Sequence, residues 1–179
     1  MPAALFAAAL ATALSSASAV EVPRLAGKLL EPASCGVRQT LWIRHYAAEL
    51  FLPPEASPTA VADPAEPKLL RVRILNPTLM PPNIPARWRE ALAPVVSRDT
   101  LARLEAAYNG LRRNDSILVA YRPGHGVTLQ VNERQLAHVS GHAAIDALLR
   151  AWAEEGVPLE EQLVRTTARN PCALSLIHI

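Results

Sequence analysis

Lysine and the aromatic residues are scarce in this chain. Of its 18 basic residues only Lys28 and Lys68 are lysines, and aromatics make up 4% of the 179 positions. With 16 acidic residues the net charge is +2, too even for the clustered positive footprint of a nucleic-acid binder. Cysteine is confined to Cys35 and Cys172. There is no CxxC pair, no phosphate loop, no HExxH and no GxSxG, so none of the short motifs of metal, nucleotide or serine-hydrolase chemistry is present. Past residue 20 no run of 18 apolar residues occurs, which excludes a spanning helix in the body. What the chain has is apolar residues, 50% of the total, enough to bury the core of one domain and too many for global disorder. The abundance of Ala, Pro, Leu and Arg is the bias of a GC-rich genome and is not read as function.

The two ends read differently from the middle. Residues 1–19 carry no charge, residues 5–14 are an alanine-rich apolar stretch, and Ala17-Ser18-Ala19 is a small-x-small site. That is the apolar region and cleavage site of a secretory signal peptide, without the usual basic residue before it. The expected mature protein is therefore periplasmic or secreted. Residues 171–179, ending CALSLIHI, have no turn, charge or period and read as a non-native or disordered tail. With Cys172 in that tail, Cys35 is expected to stand unbridged. The domain proper is 20–170.

Within it, residues 37–52 are apolar on both faces, which predicts one central strand covered on two sides. Five prolines in residues 53–67 predict a loop with one helical turn at 59–62. In 69–75 Leu70, Val72 and Ile74 alternate with Arg71 and Arg73, a half-exposed antiparallel strand. Asn83 is placed as the cap of a helix carrying Trp88, Leu92 and Val95, which Pro94 shortens. Ser97 or Asp99 caps a second helix with Leu101, Leu104, Tyr108 and Leu111 on one face, stopped at Asn109-Gly110. Alternation then predicts a meander at 116–121, 127–131 and 135–139, turning at 122–126 and at Asn132-Glu133. Ser140 caps a helix with Ile145, Leu148, Leu149 and Trp152 on one face, and Pro158 opens a last helix. Strands, helices, strands, helices with hairpin links argue an α+β fold, an antiparallel sheet with helices on one face.

Few residues suggest chemistry. His138 and His142 are four apart, but a strand end and a helix cap separate them, so no metal site is expected. Glu160-Glu161 suits the first turn of a helix. Arg38 leads into an apolar segment beside Trp42 and Tyr46. An arginine at the mouth of an apolar sheet can hold a carboxylate or an enolate-like oxygen through its planar fork. The plainer reading is an edge arginine in a surface ion pair.

The strings GVR (36–38), RHYAAELFLP (44–53), SILVAYRPGHGVTLQVN (116–132) and SGHAAIDALLRAW (140–152) resemble the chalcone isomerase-like proteins of bacteria. The most specific positions are Tyr121, Pro123, Gly124 and Gly126 at the hairpin and Ala147-Leu148-Leu149 with Trp152. Asn114-Asp115 stands where Gly-Asp is usual, and Asn132-Glu133 replaces Asn-Gly. The resemblance implies an open-faced β-sandwich, one long antiparallel sheet with a layer of helices on one face. It also implies one of two activities: cyclisation of chalcones, as in the plant enzymes, or fatty-acid binding without isomerase chemistry. In both, the Arg after Gly-Val anchors the cleft, a role that passes to Arg38. The enzymes' threonine falls near Tyr46, and their tyrosine–asparagine pair has no counterpart in 84–96.

The expectation is thus an exported protein that binds a small apolar ligand with a polar head, a fatty acid or similar, through Arg38 and Tyr46. No cofactor, nucleic acid or metal is expected. The alternative is an isomerase or intramolecular lyase acting on a chalcone-like or other enone substrate, with Arg38 as its catalytic oxyanion stabiliser. A third reading is an envelope protein with a protein partner.

Overall fold

Six strands of six to ten residues carry the fold from residue 31 onward. A computed structural model describes residues 23–40 and 42–154. After a two-stranded ribbon, β1 (Arg24–Leu25) and β2 (Lys28–Leu29), come β3 (Glu31–Thr40), β4 (Ile43–Leu52) and β5 (Lys68–Ile74). Helices α1 (Ala86–Leu92) and α2 (Arg98–Asn109) follow, then β6 (Ser116–Arg122), β7 (Gly126–Val131), β8 (Arg134–Val139) and α3 (Ala143–Glu154). Strands β3 to β8 form one six-stranded sheet in sequence order, every neighbour antiparallel.

One face of that sheet is the core. Leu50, Leu70, Val72, Ile74, Val119, Val127 and Leu129 meet Leu92 of α1, Leu104 of α2, and Ile145, Leu148, Leu149 and Trp152 of α3. The predicted inward residues of β5 and the predicted face of α3 are all buried. This is an α+β open-faced sandwich with its helices on one side. Ser97 caps α2 by accepting from the Thr100 N–H, and Gly110 closes it. The predicted helical turn in the proline-rich loop is a 3-10 turn, Pro58–Val61.

Several expectations need correction. Residues 37–52 are not one strand. They are the end of β3 and all of β4, joined at a tight turn where Trp42 stands 82% exposed. No Gly, Asn or Pro marks that turn, so alternation ran through it unbroken. Strand β4 is nevertheless buried on both faces: Ala48 and Leu50 lie toward the helices, while Ala47, Glu49 and Phe51 are buried on the other side. Glu49 there accepts from Arg71 Nε at 2.9 Å, and the Arg71 guanidinium lies 4.7 Å from the Phe51 ring centre.

Helix α1 does not begin at Asn83. Pro85 is its cap residue, and the Pro85 carbonyl accepts from the N–H groups of Trp88 and Arg89. Helix α3 begins at Ala143, later than a Ser140 cap would place it. Cys35 is not unbridged: it is disulfide-bonded. The chain's other cysteine, Cys172, lies outside the described residues, as do the predicted leader, the helix at Pro158 with Glu160-Glu161, and the tail.

Positive φ angles explain the sequence departures noted above. Asn114 has φ +71°, tolerable for asparagine where glycine would be free, and the Asp115 carboxylate accepts from the Arg112 N–H at 2.7 Å. Asn132 and Glu133 both have positive φ, the mark of a type I′ hairpin turn. Gly126, with φ +94°, is tighter still: a Cβ there would stand 2.3 Å from the Val139 carbonyl oxygen of the paired strand. Around Gly124, with φ +75°, nothing lies within 4 Å of that position. Gly126→Ala should therefore cost about 3 kcal/mol or more of stability, from strain and a backbone clash together, against about 1 kcal/mol for Gly124→Ala. Denaturant unfolding of both variants measures the difference; equal losses would contradict the packing described at Gly126.

Candidate functional site

Register places the side chains that the sequence put forward. Arg38 of β3 is the cross-strand partner of Tyr46 of β4, which in turn pairs with Ile74 of β5. Directly opposed residues share a face, and Ile74 is core, so all three belong to the helix-covered side. One step along, Val72 pairs with Ile117, and Ile117 with Val131. Arg38 thus marks the β3 edge at the end of the sheet where Ile117 and Val131 lie.

At that end the sheet and the helices leave a cavity of about 40 Å³. Ile117, Val119, Leu129, Val131 and Leu136 form its floor. Ile84, Trp88, Leu92, Leu104, Tyr108 and Leu148 form its roof and walls. Tyr108 is the single titratable residue among these.

Trp88 connects the cavity to the sequence-predicted pair. Its ring meets Tyr46 edge-to-face, centroids 6.4 Å apart and planes at 66°. Its indole Nε1 is buried and has no hydrogen-bond partner among the described residues. Arg38 is exposed, and among the described residues no ion pair or hydrogen bond holds its guanidinium. The structure makes Arg38 and Tyr46 cross-strand partners, though neither lines the cavity itself; Trp88 touches Tyr46 and lines the cavity. His138 and His142 are not brought together: the His138 ring is 3.5 Å from Thr128 Oγ1, and His142 pairs with Asp146.

The sequence matches the family described as chalcone isomerase-like over residues 12–163. The chain belongs to that family. No curated protein matches it. Among solved structures it is similar to the crystal structure of a fatty-acid binding protein of Arabidopsis thaliana. Identity there is 12%, with 75% of this chain and 88% of that chain covered and a TM-score of 0.46. Among the described residues no helix is long and apolar enough to cross a membrane.

Sequence reasoning on this chalcone isomerase-like chain missed a second polar cluster at the opposite end of the sheet. Lys68 opens β5 on the same side as Leu70, Val72 and Ile74, and its side chain is fully buried. The parity was visible, but a strand beginning at residue 69 left it out. The Lys68 ammonium donates to the Val61 carbonyl at 2.7 Å, lies 3.8 Å from Asp146 of α3, and stands 5.6 Å from the centre of the Tyr121 ring. Tyr121 donates its hydroxyl proton to the Pro64 carbonyl. The Asp146 carboxylate also meets His142. Burial pushes the Lys68 pKa below its ordinary value, and Asp146, Asp63 and Glu66 oppose that. Burial, then the same Asp146 and Asp63 charges, push Tyr121 up.

The cluster ties α3 and the 53–67 loop to the sheet, which explains Tyr121 as a family-like position. Removing one member of a buried pair leaves the other uncompensated, at a cost of about 3 kcal/mol or more. Asp146→Ala should be destabilised by that amount, and Lys68→Met with Asp146→Leu should recover most of it. Urea denaturation decides; a double variant no more stable than Asp146→Ala would show that the pair is not what the loss reports.

Proposed function

We propose that this protein binds a small molecule with an apolar tail and an anionic or strongly polar head, a fatty acid or similar, and does not isomerise chalcones. The observation that carries this is the cavity between sheet and helices, walled by aliphatic and aromatic side chains, at the end of the sheet marked by Arg38. An apolar tail gains by leaving water for such walls. An arginine with no partner among the described residues suits a carboxylate, which its fork can grip at two oxygens. Nothing in the lining except Tyr108 could move a proton at a reacting atom, which favours retention over turnover.

The cavity of about 40 Å³ is far below the roughly 300–1,000 Å³ of ligand pockets. The described state is closed, and a tail enters only if the helix layer parts. Helix α1, which packs along α3, is one of the elements that would have to shift. It has seven residues, and Pro81, Pro82, Pro85 and Pro94 break its continuity with its neighbours. Its Arg89 makes an ion pair to Glu105 of α2 at 2.7 Å, with the Arg side chain 57% exposed, a contact of small worth.

The reading includes export. The uncharged Ala-rich run of 1–19 with its Ala17-Ser18-Ala19 site supports it, and so does a bridged Cys35, since disulfides persist in oxidising compartments.

A charge-assisted hydrogen bond is worth about 1.5–3 kcal/mol, so Arg38→Ala should weaken binding of a long-chain fatty acid about ten- to hundredfold. Arg38→Lys should recover part of it, since a point charge lacks the planar fork. Calorimetric titration of delipidated wild type and both variants tests this. Equal affinities across the three would remove Arg38 from the site. Loss of the fold in Arg38→Ala would make it a structural residue.

A further inference from the structure

Trp88 is the one residue lining the cavity that has a buried polar atom without a partner among the described residues. Buried tryptophan N–H groups ordinarily find an acceptor, and a donor left unmade in an apolar enclosure is costly. Neither the Tyr46 nor the Tyr108 hydroxyl is hydrogen-bonded to it. Tyr46 presents its ring, and the side chains of Ile84, Leu92, Ile117 and Val131 have no acceptor. The other buried orphan atoms outside this site, such as Ser34 Oγ and Arg73 Nε, do not line the cavity.

We infer that the Trp88 indole N–H is the hydrogen-bond donor to an oxygen of the ligand at the point where its polar head meets its tail. This rests on the binding reading above and makes it more specific. Arg38, exposed at the β3 edge, supplies charge from the solvent side. Trp88, held edge-to-face against Tyr46, supplies a single directed donor from the cavity side. A carboxylate has acceptor sites for both, whereas a molecule without an oxygen acceptor leaves the indole as unpaired as it is in the closed state. The site therefore selects oxygen-bearing ligands, acids first, over purely apolar molecules of the same length, because only they remove the cost of the orphan donor. The indole serves this better than a hydroxyl would. It donates and does not accept, so it cannot turn its lone pair toward the ligand or bond its own backbone.

The test uses delipidated, nitrogen-15-labelled full-length protein. Trp42, Trp88 and Trp152 give three indole N–H resonances, and Trp42→Phe and Trp152→Phe assign the remaining one to Trp88. Adding dodecanoate should move the Trp88 resonance downfield and slow its exchange with water. N-phenyl-1-naphthylamine, an apolar probe without oxygen, should produce neither change. Trp88→Phe should bind dodecanoate about tenfold or more weakly, as expected for one hydrogen bond to a charged acceptor, and lose clearly less affinity for the naphthylamine, which has no oxygen bond to lose. If Trp88→Phe does not fold, the wild-type resonance alone decides. Dodecanoate binding with an unmoved Trp88 resonance would overturn the inference and leave the binding reading standing. A wild-type protein that binds no dodecanoate would overturn both.

Discussion

A six-stranded sheet with one apolar face has to be covered, and the helices available to cover it are short. Strand β4 has ten residues and spans about 33 Å. Helix α1 has seven residues and spans about 10 Å. The two longer helices, α2 and α3, have twelve residues each. Proline-rich loops, 53–67 before the first helix and 76–85 leading into it, complete the cover. Coverage of this kind is good enough to bury Leu50, Ile74 and Val127 completely, yet it leaves a cavity where α1 and α2 meet the β6–β8 strands.

The two ends of the sheet are held by different forces. At one end Lys68, Asp146 and Tyr121 join strand, helix and loop through charge and hydrogen bonds deep enough that water does not compete. At the other end α1 is held by side-chain packing, including against α3, and by surface contacts such as the Arg89–Glu105 ion pair. Ile117, which borders the cavity, is four residues along β6 from Tyr121, about 13 Å. Within that distance the molecule passes from a corner pinned by charge to one held mainly by packing. On the proposed reading both matter: a frame that keeps its register, and a helix layer whose opening costs less than the ligand returns.

The legible part of this fold was the part governed by periodicity. Alternation in 69–75 and 116–139 fixed strands, faces and hairpins nearly to the residue, because half-buried antiparallel strands must alternate. The 3.6-residue pattern did the same for Leu104 and for Ile145 to Trp152. Where both faces of a segment are buried the pattern disappears, and the turn between β3 and β4 was lost with it. Helix starts at Pro85 and Ala143 were misplaced because the backbone carbonyl of Pro85, not the Asn83 side chain, organises the first, and Ser140 lies too far upstream of the second. The bridge at Cys35 was illegible because a disulfide leaves no mark on the local pattern of the residues around it. At the candidate site, Arg38 and Tyr46 were put forward from the resemblance, and their cross-strand pairing came only with the register. Trp88 looked like one more member of an apolar stripe. Only its indole nitrogen, without a partner among the described residues, sets it apart, a property of three-dimensional packing.

The central claim is that ligand and protein meet between the helices and the helix-facing side of the sheet, with the head toward Arg38. The most direct measurement is a crystal structure with 12-bromododecanoic acid, using anomalous scattering to find the bromine. The account predicts a single bromine site enclosed by Val119, Leu129, Leu104 and Leu148, with α1 displaced outward and the carboxylate within reach of Trp88 and Arg38. A bromine lodged on the opposite face of the sheet, over Phe51 and Ala47, would contradict it.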